Sequence, residues 1–156
     1  MKIKDISSEA SYLKPNTKGV LVLVLFRLAT EEHEFRWLHF FLRPFYNFFI
    51  KWVLGVDLPL DVCIGKRFNI FHGQGLVVHP DVAIGDDVTL RHGVTIGEAK
   101  PGEGVPIIGS NVDIGAGAII IGRVKIGDNA VIAAGAVVIT SVEAGCTAVG
   151  YAARQI

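Results

Sequence analysis

A chain of 156 residues, 51% of them hydrophobic, can build one domain with a core, or one domain and a short helical appendage, but not two unrelated folds. Lys plus Arg and Asp plus Glu number 15 each, so no net field draws nucleic acid, and no basic run with interleaved aromatics supplies a local one. Cys63 and Cys146 stand far apart without CxxC or Cys/His spacing, which excludes a zinc-ligand pattern and a disulfide framework and fits a reducing, cytoplasmic setting.

In chain order, MKIKDISSEASYLKPNTKG carries acidic and polar residues where a secretion signal has a basic start and an apolar centre, so no signal is expected. The run GVLVLVLFRLA, Gly19 to Ala29, is too short for a bilayer span of about 20 residues and carries Arg27. It predicts a buried helix. FRWLHFFLRPFYNFFIKWVLGV, Phe35 to Val56, is aromatic, yet Arg36, His39, Arg43, Pro44 and Lys51 prevent it from crossing a bilayer cheaply. Two readings stand for it: a helix packed on the rest of the protein or on a neighbouring subunit, or a peripheral contact of residues 35–56 with the inner face of a membrane. Residues 1–56 thus form an expected helical and aromatic segment.

From about Cys63 aromatics nearly vanish and an aliphatic residue recurs every six positions: Ile64, Ile70, Leu76, then after a two-residue slip Ile84, Leu90 and Ile96. The phase resumes at Ile108, Ile114, Ile120, Ile126, Ile132 and Val138. Glycine often follows, as at Gly65, Gly85, Gly109, Gly115 and Gly127, and the fifth place holds small or β-branched residues such as Val88, Val94, Ala118 and Ala130. This predicts a mainly β fold, a parallel β-helix of hexapeptide repeats. The aliphatic points inward, the glycine gives the corner its backbone freedom, and the small residue fits the narrow interior. Three hexads close one coil, so residues about eighteen apart should stack. His79 and Pro80 fall at the slip, where a surface turn is expected.

Between Ile96 and Ile108 the chain reads GEAKPGEGVPI, an excursion loop over about 98–106 and a natural seat for binding. A coiled prism also has open ends and flat faces, so the aromatic segment is expected as a cap and association about a three-fold axis as a cover.

One stretch, Ile70 to Gly75 or IFHGQG, places a histidine where the scaffold requires none. Histidine, with a pKa of about 7, suits the work of a general base that takes a proton from an attacking hydroxyl. Gly73 and Gly75 permit close approach. His92 lies twenty residues on, one turn along and near the same edge, a candidate for acceptor binding or a second base. Gln74 could hydrogen-bond an acceptor or close a turn. Glu98 and Lys100 open the excursion, where Glu98 is a candidate acceptor contact.

Gly55 to Gly97 resembles the serine acetyltransferase branch of the left-handed β-helix acyltransferases, and within it NIFHGQGLVV and RHGVTIG resemble the exopolysaccharide O-acetyltransferases of the colanic acid type. The likeness runs from Gly55 to the C-terminus. It implies a left-handed β-helix domain over 57–156 that moves acetyl from acetyl-CoA to a hydroxyl, without a metal, in clefts between the subunits of a homotrimer. It also implies that His72 works with Asp57, which stands fifteen residues earlier as in the family and would fix the ring's tautomer. By family position and small size, Gly115, Ala116, Ala134 and Gly135 would line the coenzyme's pantetheine arm, and Arg123, Lys125 and Arg154 are the cations for its phosphates. Val131 stands where the family has a lysine, and Ala152 where the ending Gly150, Ala153, Arg154 has a proline.

Serine acetyltransferases carry an Arg-His pair in the excursion, matched here by Gly104-Val105, and a longer helical domain. Both departures point to a glycan acceptor, a sugar hydroxyl in exopolysaccharide or capsule biosynthesis. Serine is the alternative small-molecule acceptor, and a non-catalytic β-helix that assembles or binds is the further alternative. Neither cysteine has a matched base, so direct transfer in a ternary complex is expected rather than an acyl-enzyme.

Overall fold

The computed structural model describes residues 17–30 and 36–150. Helix α1, Thr17–Thr30, buries Gly19, Val22, Leu23, Phe26 and Ala29, a spacing of three and four that lays one face on the core. This is the buried helix that the apolar run predicts. Helix α2, Arg36–Tyr46, contains Pro44, which removes one backbone donor, and the chain continues as a π-helical turn, Asn47–Val53. The amide of Leu54 donates to the Phe49 carbonyl at 3.0 Å and Gly55, at φ +65, turns the chain out of the helix.

The remainder is a left-handed parallel β-helix of about five turns, with short strands in three sheets that form the faces of a prism. The first face carries Val56–Asp57, Leu76–Val78, Thr95–Gly97, Ile119–Ile121 and Val137–Val138. The second carries Cys63–Ile64, Ala83–Ile84, Ile107–Ile108 and Lys125–Ile126, and the third Asn69–Phe71, Thr89–Arg91, Asp113–Ile114, Val131–Ile132 and Thr147–Ala148. Inside, aliphatic columns such as Leu90, Ile114 and Ile132 are almost fully buried. Stacked pairs lie 18 residues apart where nothing is inserted, as in Ile107↔Lys125 and Ile119↔Val137, and 24 apart across the excursion, as in Ala83↔Ile107.

Two details differ from the sequence expectation. The inward residue that stacks on Ile96 is Val78, not Leu76, so the spacing from Ile70 is eight and the two extra residues sit in the corner that holds His72. His79 and Pro80 follow in regular phase. The glycines after the aliphatics also have another cause: at Gly85, φ is not positive, but an added Cβ would lie 2.7 Å from the backbone of Gly109 in the next coil. Close stacking excludes a side chain there. The left-handed position is instead the third after the aliphatic, filled by Arg67, Asp87, Asn111 and Asn129 on one edge and by Gly93, Gly117 and Gly135 on another.

Successive peptide groups point alternately to the two neighbouring coils, and where a first-coil amide donates upward, as Gly65 to the Ile84 carbonyl at 2.9 Å, the carbonyl of the same peptide, here that of Ile64, faces the open end. The helices cover that end. Buried Arg27 donates to the carbonyls of Ile64, at 3.0 Å, and Gly65; the Tyr46 hydroxyl donates to Leu58 at 2.9 Å. The cap is therefore α1 with the buried side of the aromatic segment, not the aromatic segment alone. Burial, with the carboxylate of Asp57 nearby, pushes the Tyr46 phenol well above its usual pKa, so it stays a donor.

Candidate active site

The edge between the third and first faces is built by a ladder of amides. Gly93 donates to the Gln74 carbonyl at 2.8 Å, Gly117 to His92 at 2.9 Å and Gly135 to Ala116 at 2.9 Å. Gln74, His92, Ala116 and Ala134 are thus equivalent corner residues of successive coils. His72 lies outside this stack, in the two-residue insertion, which is why it can stand clear of the prism.

The insertion is strained. His72 has φ +65, and the Phe71 carbonyl accepts from the Gly73 amide at 2.8 Å across it, a three-residue turn of the disfavoured hand. A non-glycine residue held so costs on the order of 1–3 kcal/mol, and such strain persists where the surroundings enforce it. Gly73, at φ +67, is enforced twice, since a Cβ there would approach Ile70 Cγ2 to 2.8 Å. The result is an exposed imidazole whose centroid lies 6.0 Å from that of His92, the planes at 69°.

Asp57 lies on the first face, beside the edge. Its carboxylate meets Lys51 Nζ at 2.8 Å, and among the described hydrogen bonds none joins it to His72. Lys51 enters the sequence reading only as a charge that interrupts an aromatic run. No spacing rule connects it to Asp57, because a π-helical turn and not a repeat brings it there.

Glu98 starts the excursion on the next edge, across the first face from His72. One oxygen accepts from Gly102 N at 3.1 Å and the other lies 3.6 Å from His79 Nε2. His79 Nδ1 accepts from the Asp81 amide at 3.3 Å, which assigns the neutral ring's proton to Nε2, facing Glu98. The expected turn residue thus helps tie down the loop. Arg123 lies beneath the same loop, with its Cβ 3.4 Å from where a Cβ on Gly104 would stand.

Of the expected coenzyme residues, Ala116, Ala134 and Gly135 share the histidine edge, and an open groove there is lined by Gly135, Val137, Val149 and Gly150. Gly115 packs against the backbone of Ala134, with no room for a side chain. Lys125 is on the second face, at a separate hollow with Asp128, Ser141 and Glu143, and Arg154 lies outside the described residues. The fold therefore gathers His72, Gln74, His92, Ala116, Ala134 and Gly135, and leaves Glu98, Arg123 and Lys125 apart.

The bacterial transferase hexapeptide model, of six repeats, matches residues 106–140. Over 140 residues the chain is 36% identical to a serine acetyltransferase of Helicobacter pylori, a match covering 88% of this chain and 81% of that protein. The chain belongs to the hexapeptide-repeat acetyltransferases. Another acetyltransferase similar to it is the colanic acid biosynthesis acetyltransferase WcaB of Escherichia coli, 39% identical over 80 residues, or 51% of this chain and 49% of that protein. Among solved acetyltransferases, soybean serine acetyltransferase complexed with serine has a TM-score of 0.76 at 34% identity, covering 97% of this chain and 66% of that one. Serine acetyltransferase of Brucella abortus in complex with coenzyme A has a TM-score of 0.77 at 29% identity, covering 96% and 64%. The chain thus spans just under two thirds of those solved enzymes.

Proposed function

We propose that this acetyltransferase uses acetyl-CoA and transfers acetyl directly to a hydroxyl, with His72 as general base and Asp57 as the residue that orients it. The observation that carries the reading is the strained, exposed corner that holds His72 beside His92. His72 takes the hydroxyl proton as the acceptor oxygen attacks; His92 and Gln74, next along the edge, hold the acceptor. Asp57 turns from Lys51 to the other ring nitrogen and stabilises the imidazolium. Acetyl-CoA supplies an activated acyl carbon and a thiolate leaving group.

The edge suits an extended pantetheine arm. No heavy atom lies within 4 Å of where a Cβ would stand on Gly117 or Gly135, so a chain can lie against the backbone and bond to its peptide groups. Of the expected phosphate contacts Arg154 is kept; Lys125 stands on the second face and Arg123 beneath the excursion, both away from this edge. On the first face Val77, Ile119 and Val137 turn outward and exposed, an apolar strip that supports a homotrimer with the sites in its clefts.

Serine is the acceptor that the relatives support. The helical region is no argument against it, since the Helicobacter pylori enzyme is matched over 81% of its length. In the proposed trimer, Arg123 beneath a neighbouring subunit's excursion would meet the serine carboxylate in place of the missing Arg-His pair. A sugar hydroxyl is the second reading, favoured by Gly104-Val105 in that loop and by the likeness to WcaB. Release of CoA measured with L-serine, with hexoses and with nucleotide sugars separates the two. His72→Ala should abolish most of that release while circular dichroism stays unchanged; near wild-type turnover would end the assignment.

A further inference from the structure

We propose that the outer side of α2 and the π-helical turn docks on an anionic lipid surface. The inner side of this segment is used: Tyr46 and Ile50 are 2% and 0% exposed and anchor it to the first coil. The outer side is not. Phe40, Phe41, Phe45, Phe48, Trp52 and Val53 are 52–77% exposed, although each is a large apolar group. Four of them, Phe41, Phe45, Phe48 and Trp52, follow one another at spacings of four, three and four, so they form one stripe. Two aromatic contacts stiffen it: Phe45 stacks on Phe49 with centroids 5.6 Å apart, and Phe40 meets Phe41 edge-on at 5.4 Å.

Charge selects the occupant. From residue 36 to 56 the chain carries Arg36, Arg43 and Lys51 and neither Asp nor Glu, although the whole chain is balanced at 15 and 15. An aromatic stripe whose own segment carries cations and no carboxylate, with Lys51 shared with Asp57 at its end, matches the boundary between acyl chains and anionic headgroups, where Trp and Phe bury their rings and Arg and Lys reach phosphate. No helix among the described residues is long and apolar enough to cross a membrane, so the contact is peripheral. A second copy of the chain has another place to bind, the outward strip of Val77, Ile119 and Val137. The aromatic stripe is left over.

The inference is independent of the acetyl-transfer reading, and its test uses the full chain without substrate. In flotation, the protein should rise with vesicles of phosphatidylcholine containing about one third phosphatidylglycerol, and about tenfold less with phosphatidylcholine alone or at high salt. Trp fluorescence should shift to the blue on the anionic vesicles. The variant Phe41→Ser/Phe48→Ser/Trp52→Ser, all exposed positions, should keep its circular dichroism and oligomeric mass and lose flotation. Wild-type protein that stays in the aqueous fraction with both vesicles overturns the proposal. So does a triple variant whose mass by light scattering falls to a smaller assembly, because the stripe is then a contact between copies.

Discussion

Lys51 Nζ stands 2.8 Å from a carboxylate oxygen of Asp57, so the residue proposed to orient His72 is held by a lysine instead. Both side chains are partly exposed, 52% and 36%, and an ion pair of that kind is worth at most about 1 kcal/mol. Lys51 can therefore delay the productive pair but not prevent it. Lys51→Met is expected to raise kcat by up to about fivefold, the rate equivalent of that energy. Asp57→Asn should lower kcat by about a hundredfold or more with little change in acceptor KM. Steady-state kinetics on both variants checks this, and an unaffected Asp57→Asn enzyme would remove Asp57 from the mechanism.

Two glycines two residues apart should respond differently to the same change. Gly115→Ala drives a methyl into the backbone of Ala134, so coils must separate, and a loss of roughly 2–4 kcal/mol is expected. Gly117→Ala meets open space and costs only the strain of φ +68, about 1 kcal/mol. Urea unfolding of the pair measures the difference, and equal losses would contradict the stacking account.

Arg27 is a buried charge whose guanidinium caps two carbonyls at the open end of the prism. Arg27→Met keeps much of the packing and strands both acceptors, so a loss of about 2–4 kcal/mol is expected, read as a fall in Tm. Retained stability would mean that water satisfies those carbonyls equally well.

Acid should weaken one corner in a defined direction. The hydrogen bonds from Arg67 hold the Asp87 carboxyl below its usual range. A carboxyl lowered on folding stabilises the fold above its unfolded value, 3.8, and that contribution is lost as pH falls through the lower folded value. Arg67 is 40% exposed and Asp87 30%, so the pair is worth under about 1 kcal/mol. The Tm gap between wild type and Asp87→Asn should be small at about pH 6 and close by about pH 2. A gap that persists in acid would assign the effect to packing.

The solenoid is legible in the sequence because its period is simple: an inward aliphatic such as Ile114 or Ile132 recurs every six residues and nothing else produces that run. The sequence reading sets His92 one turn from His72, whereas the ladder makes Gln74 its equivalent and His72 part of the inserted corner. The misplaced slip shows where periodicity fails, since Leu76 fits the six-residue count as well as Val78 does. Only the pairing of Val78 with Ile96 decides between them. Lys51 was illegible for another reason: a π-helical turn sets its position, and that turn depends on tertiary packing around Tyr46 and Ile50.

A prism of identical turns looks the same after each step along its axis, so no corner has an identity. His72 and Gly73 remove that translational symmetry at one place. First and second coils are 20 residues apart, as in Val56↔Leu76 and Asn69↔Thr89, and deleting the two residues would make every one of those separations 18. The shortened chain should fold into a solenoid interrupted by the excursion alone and lack a base. The proposed base would then sit at one of two breaks in a repeating lattice, the other being the excursion, and the chemistry is placed where the repeat is violated.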